Sequence, residues 1–353
     1  MKHNHPEEGH ISDRKSAHVR LCLEENVAGE GVTSGLERYR FRHQAVPELD
    51  FADVQLGTSL FGMELRTPLL ISSMTGGSEA TGQINRRLAQ AAQHRGWAMG
   101  LGSVRAAIEH DELAATFHIR QEAPDIPVIA NLGAVQLNYG FGVDQCRRAV
   151  ELAEASALVL HLNTLQEVFQ PEGNVNFAGL LSRMEQVASK LDVPVGVKEV
   201  GWGIDGETAR RLADAGMAFI DVAGAGGTSW SQVEKFRSHD PVRRAAAEAF
   251  ADWGNSTADC IVDVRRALPE IPLIGSGGLH TGVDAAKAIA LGADLAGFGR
   301  SLLGAAVDSI EALEQVLEQV EFELSAAMFG IGVGSIEDLQ QTKRLYPKGA
   351  TFA

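Results

Sequence analysis

The chain has 353 residues, 45% of them hydrophobic, and so can bury a sizeable core as one large domain or two. Its formal net charge of -15 argues against nucleic acid or an anionic membrane as the main partner; any anionic ligand would need a locally basic pocket. Cys22, Cys146 and Cys260 are odd in number, far apart and in no metal-ligand spacing, which excludes a disulfide frame or zinc site and fits reduced thiols in a cytoplasmic protein.

Residues 1–12 read as a disordered tail, with His3, His5 and His10 among Lys, Asn, Pro and Glu. Met1 to Ile11 lacks the apolar stretch of a secretion signal, and no apolar run is long enough to cross a bilayer. Asp13 is placed to cap a helix carrying Val19, Leu21 and Leu23. Arg14, Lys15 and His18 then gather positive charge near its start, the wrong end for cations if only the helix dipole acted. An anionic ligand shared with the helix start explains them as well as a solvated basic face does. Leu36 to Asp53 is irregular, with alternating Tyr39, Phe41, Val46 and Leu49.

From Leu69 the pattern becomes regular. Strands are expected at Leu69–Ser73, Ala98–Gly102, Val128–Leu132, Leu158–Leu162, Val195–Val200, Phe219–Ala223, Leu273–Gly277 and Leu295–Gly299, each followed by a helical segment. Eight such units fill residues 69–303, close to the ~250 residues of a closed (β/α)8 TIM barrel. A doubly wound open sheet is the alternative, but it usually carries a glycine fingerprint after its first strand. Here the strongest glycine cluster follows the seventh. The expected organisation is therefore one domain over residues 13–353, with a barrel core at about 69–303, an N-terminal extension, an insert after strand six and C-terminal helices. The insert, Ser231 to Ala258, is long enough for a lid or an extra helix pair. After Ile310 an amphipathic helix bears Leu313, Val316, Leu317, Val320 and Leu324, and Ser335 starts another; this tail is expected to pack on the barrel or another subunit.

The strand ends carry the chemistry. Strand four ends in His161-Leu162-Asn163-Thr164-Leu165-Gln166-Glu167 and runs on through Pro171-Glu172-Gly173-Asn174. An imidazole, carboxamides and a carboxylate after a buried strand point to a site at the C-terminal mouth of a barrel. Ser72, Ser73, Met74, Thr75, Ser103 and Asn131 add partners for a planar polar ring. Gly275-Ser276-Gly277-Gly278 after strand seven and Gly299-Arg300 after strand eight read as a phosphate grip. Lys198 ends a strand of small apolar neighbours and needs a negative partner. An anionic cofactor ring, a Schiff base or a salt bridge to Glu199 or Asp221 would each serve. Glu167 is a lone carboxylate among amides, as expected of a Mg2+ site completed by phosphate and water. Arg14, Lys15, Ser103, Arg105 and His161 would hold the rest of a diphosphate's charge.

With these motifs assembled, the chain resembles the type 2 isopentenyl-diphosphate isomerases, FMN-dependent enzymes of isoprenoid synthesis. The resemblance runs from Arg14-Lys15-x-x-His18 to the Ile336–Leu339 helix. It rests on Ser73-Met74-Thr75-Gly76-Gly77, Gly102-Ser103-x-Arg105, Asn131-x-Gly133 and His161-x-Asn163-x-x-Gln166-Glu167 with Pro171-Glu172-Gly173-Asn174. Lys198-Glu199-Val200-Gly201, Gly226-Gly227-Thr228-Ser229-Trp230 with Glu234, and Gly275–Gly278 complete it. The Gln-Glu stretch and its Pro-Glu-Gly-Asn continuation are the specific part; the glycine motifs alone are shared with many flavin barrels.

The resemblance implies conversion of isopentenyl diphosphate to dimethylallyl diphosphate, with reduced FMN as acid and base, NADPH or another donor as reductant, and Mg2+. It implies FMN contacts from Ser73, Met74, Thr75, Ser103, Asn131, Lys198, Thr228, Gly277, Gly278, Leu279, Gly299 and Arg300. Substrate contacts would come from Arg14, Lys15, Ser103, Arg105, His161, Asn163 and Gln166, metal binding from Glu167, and catalytic roles from Gln166, Lys198 and His161. A homotetramer or homo-octamer is implied too. Val104, His280 and Asn255-Ser256 depart from the family pattern, and the first two would loosen contacts to diphosphate or FMN phosphate. The competing reading is an FMN-dependent 2-hydroxy-acid oxidoreductase on the same barrel; a non-catalytic flavin- or phosphate-binding barrel is the other.

Overall fold

A computed structural model describes residues 6–350, with side chains from Arg14 onward. Eight parallel strands close on themselves: Leu69–Ile71, Ala98–Gly100, Val128–Gly133, Ala157–Leu162, Val195–Glu199, Ile220–Asp221, Leu273–Ser276 and Leu295–Phe298. The last pairs with the first, Gly297 opposite Leu70, which rules out the open doubly wound sheet. Each expected strand is present, mostly shorter at its C-terminal end, where the chain leaves the ladder to form the mouth loops.

Strand alternation sorts the side chains. Leu69, Ile71, Met99, Val128, Ala130, Leu132, Leu158, Leu160, Val195 and Val197 face outward into a core shared with the helices. Leu70, Ala98, Ile129, Ala157, Val159, Phe219, Ile274 and Leu295 face inward and form a second cluster with Leu60 and Leu65. These last two belong to a hairpin, Thr58–Leu60 with Met63–Leu65, lying ahead of the first strand. Its two-residue turn, Phe61-Gly62, has positive φ at both positions (53° and 75°), the backbone a tight hairpin turn favours. Phe61 is thereby delivered 4.9 Å from the Phe219 ring. The N-terminal end of the barrel is closed by this plug.

The helix at Pro6–Glu24 begins inside the stretch expected to be a tail, and Asp13 lies within it rather than at its cap. Proline is tolerated at a helix start because its missing N–H has no helical partner there, so Pro6 can open the helix. His3 and His5 lie outside the described residues. The insert does form an extra helix pair, Trp230–Arg237 and Pro241–Glu248, and the first packs on the N-terminal helix. Helix Thr257–Ala267 then resumes the barrel. The C-terminal helix Ile310–Gly330 buries Leu313, Leu317, Val320 and Leu324 against helices Glu79–Arg95, Gly282–Ala290 and Arg300–Asp308. Strands Tyr39–Phe41 and Leu345–Pro347 pair antiparallel, tying the two extensions together. Among the described residues no helix is long and apolar enough to cross a membrane.

Candidate active site

On several strands the chain turns polar two residues beyond an inward apolar or glycine position. Asn131 follows Ile129, His161 follows Val159, Lys198 follows Gly196, Asp221 follows Phe219 and Ser276 follows Ile274, so alternation points all five into the barrel near its mouth. Parallel register sets His161 beside Lys198 and Lys198 beside Asp221. His161 Nδ1 lies 2.7 Å from Asn131 Oδ1, within hydrogen-bonding distance. Burial, then Lys198 and Lys15, pushes the imidazole down to about 3, so the ring is neutral at pH 7.

Lys198 is 9% exposed. The salt bridge considered for it does not form: Nζ donates instead to the Glu199 carbonyl at 2.7 Å. The Glu199 carboxylate is turned to its own loop, where Oε2 accepts from the backbone N–H groups of Val200, Gly201 and Trp202 at 2.6, 2.8 and 2.6 Å. Asp221 accepts from Ser276 Oγ at 2.5 Å, and burial raises its carboxyl above the ordinary value. Neither carboxylate makes an ion pair with the lysine, whose charge acts on both through space and also faces whatever occupies the cavity.

Beside it, Asn163 precedes the short helix Thr164–Phe169, whose first turn carries Gln166 and Glu167. Glu167 is 6% exposed, with Oε1 accepting from Asn163 Nδ2 at 2.8 Å and Oε2 from the Asn174 backbone N–H at 2.5 Å. Asn163 Oδ1 and Ser72 Oγ are buried with no hydrogen-bond partner among the described residues. Buried polar atoms are rarely left so, and both atoms belong to residues lining the cavity.

Cations gather from the N-terminal helix. Lys15 Nζ donates to the Ser103 carbonyl at 3.0 Å and lies 5.2 Å from the Phe117 ring centre. Burial, with Arg14 and Arg105 nearby, lowers its ammonium to about 7. The helix is held there by an ion chain. His18 Nε2 lies 3.0 Å from Glu234 Oε1, Arg237 pairs with Glu234 (2.5 Å) and Glu172 (3.0 Å), and Arg14 lies 3.7 Å from Glu172. Burial lowers His18; it also raises Glu234, but His18 and Arg237 outweigh it and hold that carboxyl below its ordinary value. A neutral imidazole donating to a carboxylate whose charge Arg237 balances satisfies both.

On the opposite wall Gly277, at φ 111°, passes so close to Gly224 that a Cβ would lie 2.2 Å from its carbonyl oxygen; only glycine fits. Gly299 precedes helix Arg300–Asp308. Backbone N–H groups at such a start, with glycine allowing close approach, suit an anionic oxygen cluster. The resulting cavity encloses about 1710 Å³ of non-atom space, open solvent at its mouth included.

A family model described as FMN-dependent dehydrogenase matches residues 142–345. The isopentenyl-diphosphate delta-isomerase of Oceanobacillus iheyensis is 55% identical over 342 residues, covering 97% of this chain and 98% of that one. The enzyme of the same name from a Nostoc species is 52% identical over 332 residues, 94% and 95% of the two chains. This chain belongs to the isopentenyl-diphosphate delta-isomerase family. Among solved structures, a lactate oxidase from Pediococcus acidilactici superposes with a TM-score of 0.68 at 19% identity, covering 97% and 94% of the two chains. A mandelate oxidase variant gives 0.64 at 21%, covering 95% and 99%. At that identity these two share the fold alone.

In this isomerase-family chain, every residue expected from the sequence to hold cofactor, substrate or metal or to take part in catalysis lines a single cavity, from Arg14 and Lys15 through Glu167 and Lys198 to Gly299 and Arg300. Two of the three departures behave differently. His280 lines the cavity, whereas Val104 is fully buried in the barrel–helix core, outside the lining. Sequence reasoning missed Gln136, which is 4% exposed in the turn Ala134–Asn138 after strand three and lines the cavity. Its only signal was a glutamine in an otherwise apolar stretch. It also missed the clamp formed by Glu172, Glu234 and Arg237, whose members are far apart in the chain.

Proposed function

We propose that this protein interconverts isopentenyl diphosphate and dimethylallyl diphosphate without net redox change, adding a proton at the terminal methylene and removing one from C2, as a step of isoprenoid synthesis. The observation carrying the reading is the convergence of Lys198, Gln166, Glu167 and the cations of the N-terminal helix on one cavity. The names of near-full-length relatives support the substrate.

FMN is the proposed cofactor. The unpartnered Ser72 hydroxyl and the glycine cradle at Gly277 fit its polar ring and its phosphate. Ser73, Met74, Thr75, Ser103, Asn131, Lys198, Thr228, Gly277, Gly278, Leu279, Gly299 and Arg300 would hold it. Bound and reduced, with NADPH as the proposed hydride donor, FMN supplies the acid and base for the two proton transfers. Lys198 stabilises negative charge on the ring electrostatically, at a position water barely reaches. Gln166, which does not titrate, orients the reacting carbons.

Arg14, Lys15, Ser103, Arg105, His161 and Asn163 take the diphosphate. Glu167 takes Mg2+: each of its oxygens already accepts one hydrogen bond and retains a lone pair. No group of three or more His, Cys, Asp or Glu side chains suited to a metal occurs among the described residues, so diphosphate and water would complete the shell. The hydroxy-acid oxidoreductase reading needs a titrating histidine. His161, pushed down to about 3 and bonded to a carboxamide, does not suit that role. We place the protein in the cytoplasm as a homotetramer or homo-octamer, a size that light scattering on the eluted protein checks.

The test is anaerobic incubation with isopentenyl diphosphate, FMN, NADPH and Mg2+. Dimethylallyl diphosphate is expected without stoichiometric NADPH loss. No product, or NADPH consumed mole for mole with product, overturns the reading.

A further inference from the structure

One loop residue joins the two halves of the substrate-facing wall. The Asn174 backbone N–H donates to Glu167 Oε2 at 2.5 Å. Its side-chain oxygen accepts from Arg105 Nη1 at 3.2 Å and from Gln136 Nε2 at 3.1 Å. The orientation of both amides follows from chemistry. A guanidinium has no acceptor, so the Asn174 atom facing Arg105 must be oxygen, and the Gln136 atom facing that oxygen must then be nitrogen. Arg105 is held on its other side by Glu109, Nε to Oε1 at 2.8 Å, one helical turn on. The loop itself has little freedom. A Cβ on Gly173 would lie 1.8 Å from the Glu167 carbonyl oxygen, so the chain can press against the Gln166-Glu167 turn only with glycine there.

We propose that Asn174 is a positioning residue that aims Arg105 at the substrate diphosphate, and that Gln136 fixes the Asn174 amide for that purpose. Main chain and side chain divide the work: the N–H seats Glu167 and the carboxamide oxygen seats Arg105. The anion-binding guanidinium and the metal-binding carboxylate are thus held in register from one residue, in a protein whose overall charge repels diphosphate. The proposal rests on the reading of Arg105 as a diphosphate ligand.

Asn174→Ala separates the two functions, since it keeps the N–H and removes the oxygen. In the anaerobic assay it is expected to raise KM for isopentenyl diphosphate about tenfold, the scale of one lost hydrogen bond to a charged group. The kcat, the Mg2+ half-saturation and the FMN absorption spectrum stay near wild type. Arg105→Ala raises KM at least as far, and Asn174→Ala added to it raises KM no further, because the two act through one group. If Asn174→Ala leaves KM unchanged while Arg105→Ala raises it, the positioning role is overturned and the diphosphate reading stands. If Arg105→Ala leaves KM unchanged, the reading of Arg105 itself fails. A Mg2+ half-saturation shifted as far as KM means that the loop has collapsed, which also overturns the proposal. Should Asn174→Ala not fold, Gln136→Leu frees the Asn174 amide to turn and is expected to raise KM in wild type but not in the Arg105→Ala background. A rise that persists in that background overturns the proposal.

Discussion

The two ends of the barrel use the same eight strands and the same inward positions in opposite ways. At the N-terminal end the inward side chains are Leu70, Ala98, Ile129, Ala157, Phe219, Ile274 and Leu295, sealed by Leu60, Phe61 and Leu65 of the hairpin. One alternation further along, the inward residues include Asn131, His161, Lys198, Asp221 and Ser276, and the cavity opens to solvent. The closed end gains hydrophobic burial and holds the ring of strands together. The open end keeps a neutral histidine, a lysine hydrogen-bonded to a carbonyl rather than to the Glu199 or Asp221 carboxyl, and two buried oxygens without a hydrogen-bond partner among the described residues. Such groups weaken an empty fold and become favourable only when a ligand meets them. Stability and chemistry are therefore separated along the barrel axis by about two residues of strand.

Substitutions at the two ends should part cleanly in their effects. At the mouth, Gln166→Ala is expected to abolish turnover, a loss of at least about 10³-fold, with the flavin spectrum intact. Unchanged turnover would remove Gln166 from the site. Lys198→Met should lower kcat about 10²–10³-fold, the scale of one lost electrostatic contact to developing charge. A thermal melt of the same variant should show a smaller loss of stability than the plug substitution Leu65→Ala, because the hydrogen bond removed is one to a backbone carbonyl.

At the plug, Leu65→Ala should cost about 2–4 kcal/mol of stability, seen in denaturant unfolding. Its kcat at temperatures where the protein remains folded should match wild type; a fall there would mean that the two ends are coupled. The pH profile sharpens the mouth side further. Burial lowers the Lys15 ammonium to about 7, so the free enzyme loses this positive charge as pH rises past that value. The kcat/KM for the diphosphate should therefore fall on the alkaline side of about 7, and that limb should vanish in Lys15→Met. The smallest effect belongs to Thr281, whose hydroxyl accepts from the Asp284 backbone N–H to cap helix Gly282–Ala290 behind the glycine cradle. Thr281→Ala should cost about 1 kcal/mol in a thermal melt, with KM unchanged.

Much of this division was legible in the chain itself. The eight apolar runs marked the strands because parallel strands buried on both faces need unbroken apolar sequence. The polar bursts that follow them marked the mouth, since loops at that end have no structural reason to collect amides, a histidine and a lysine. The N-terminal helix was misplaced: a proline can open a helix as readily as an aspartate caps one, and local pattern does not choose between them. The hairpin plug was passed over because three-residue strands leave too short a period to detect.

Local sequence thus determined the barrel, its open end and the chemical types gathered there, because alternation and strand burial are properties of neighbouring residues. Only the tertiary structure decided the partners. Lys198 meets a carbonyl and not a carboxylate, Val104 turns into the core while His280 faces the cavity, and Asn174 reaches both Arg105 and Glu167. Those outcomes depend on distances between residues far apart in the chain, fixed by barrel closure and loop packing rather than by any sequence period.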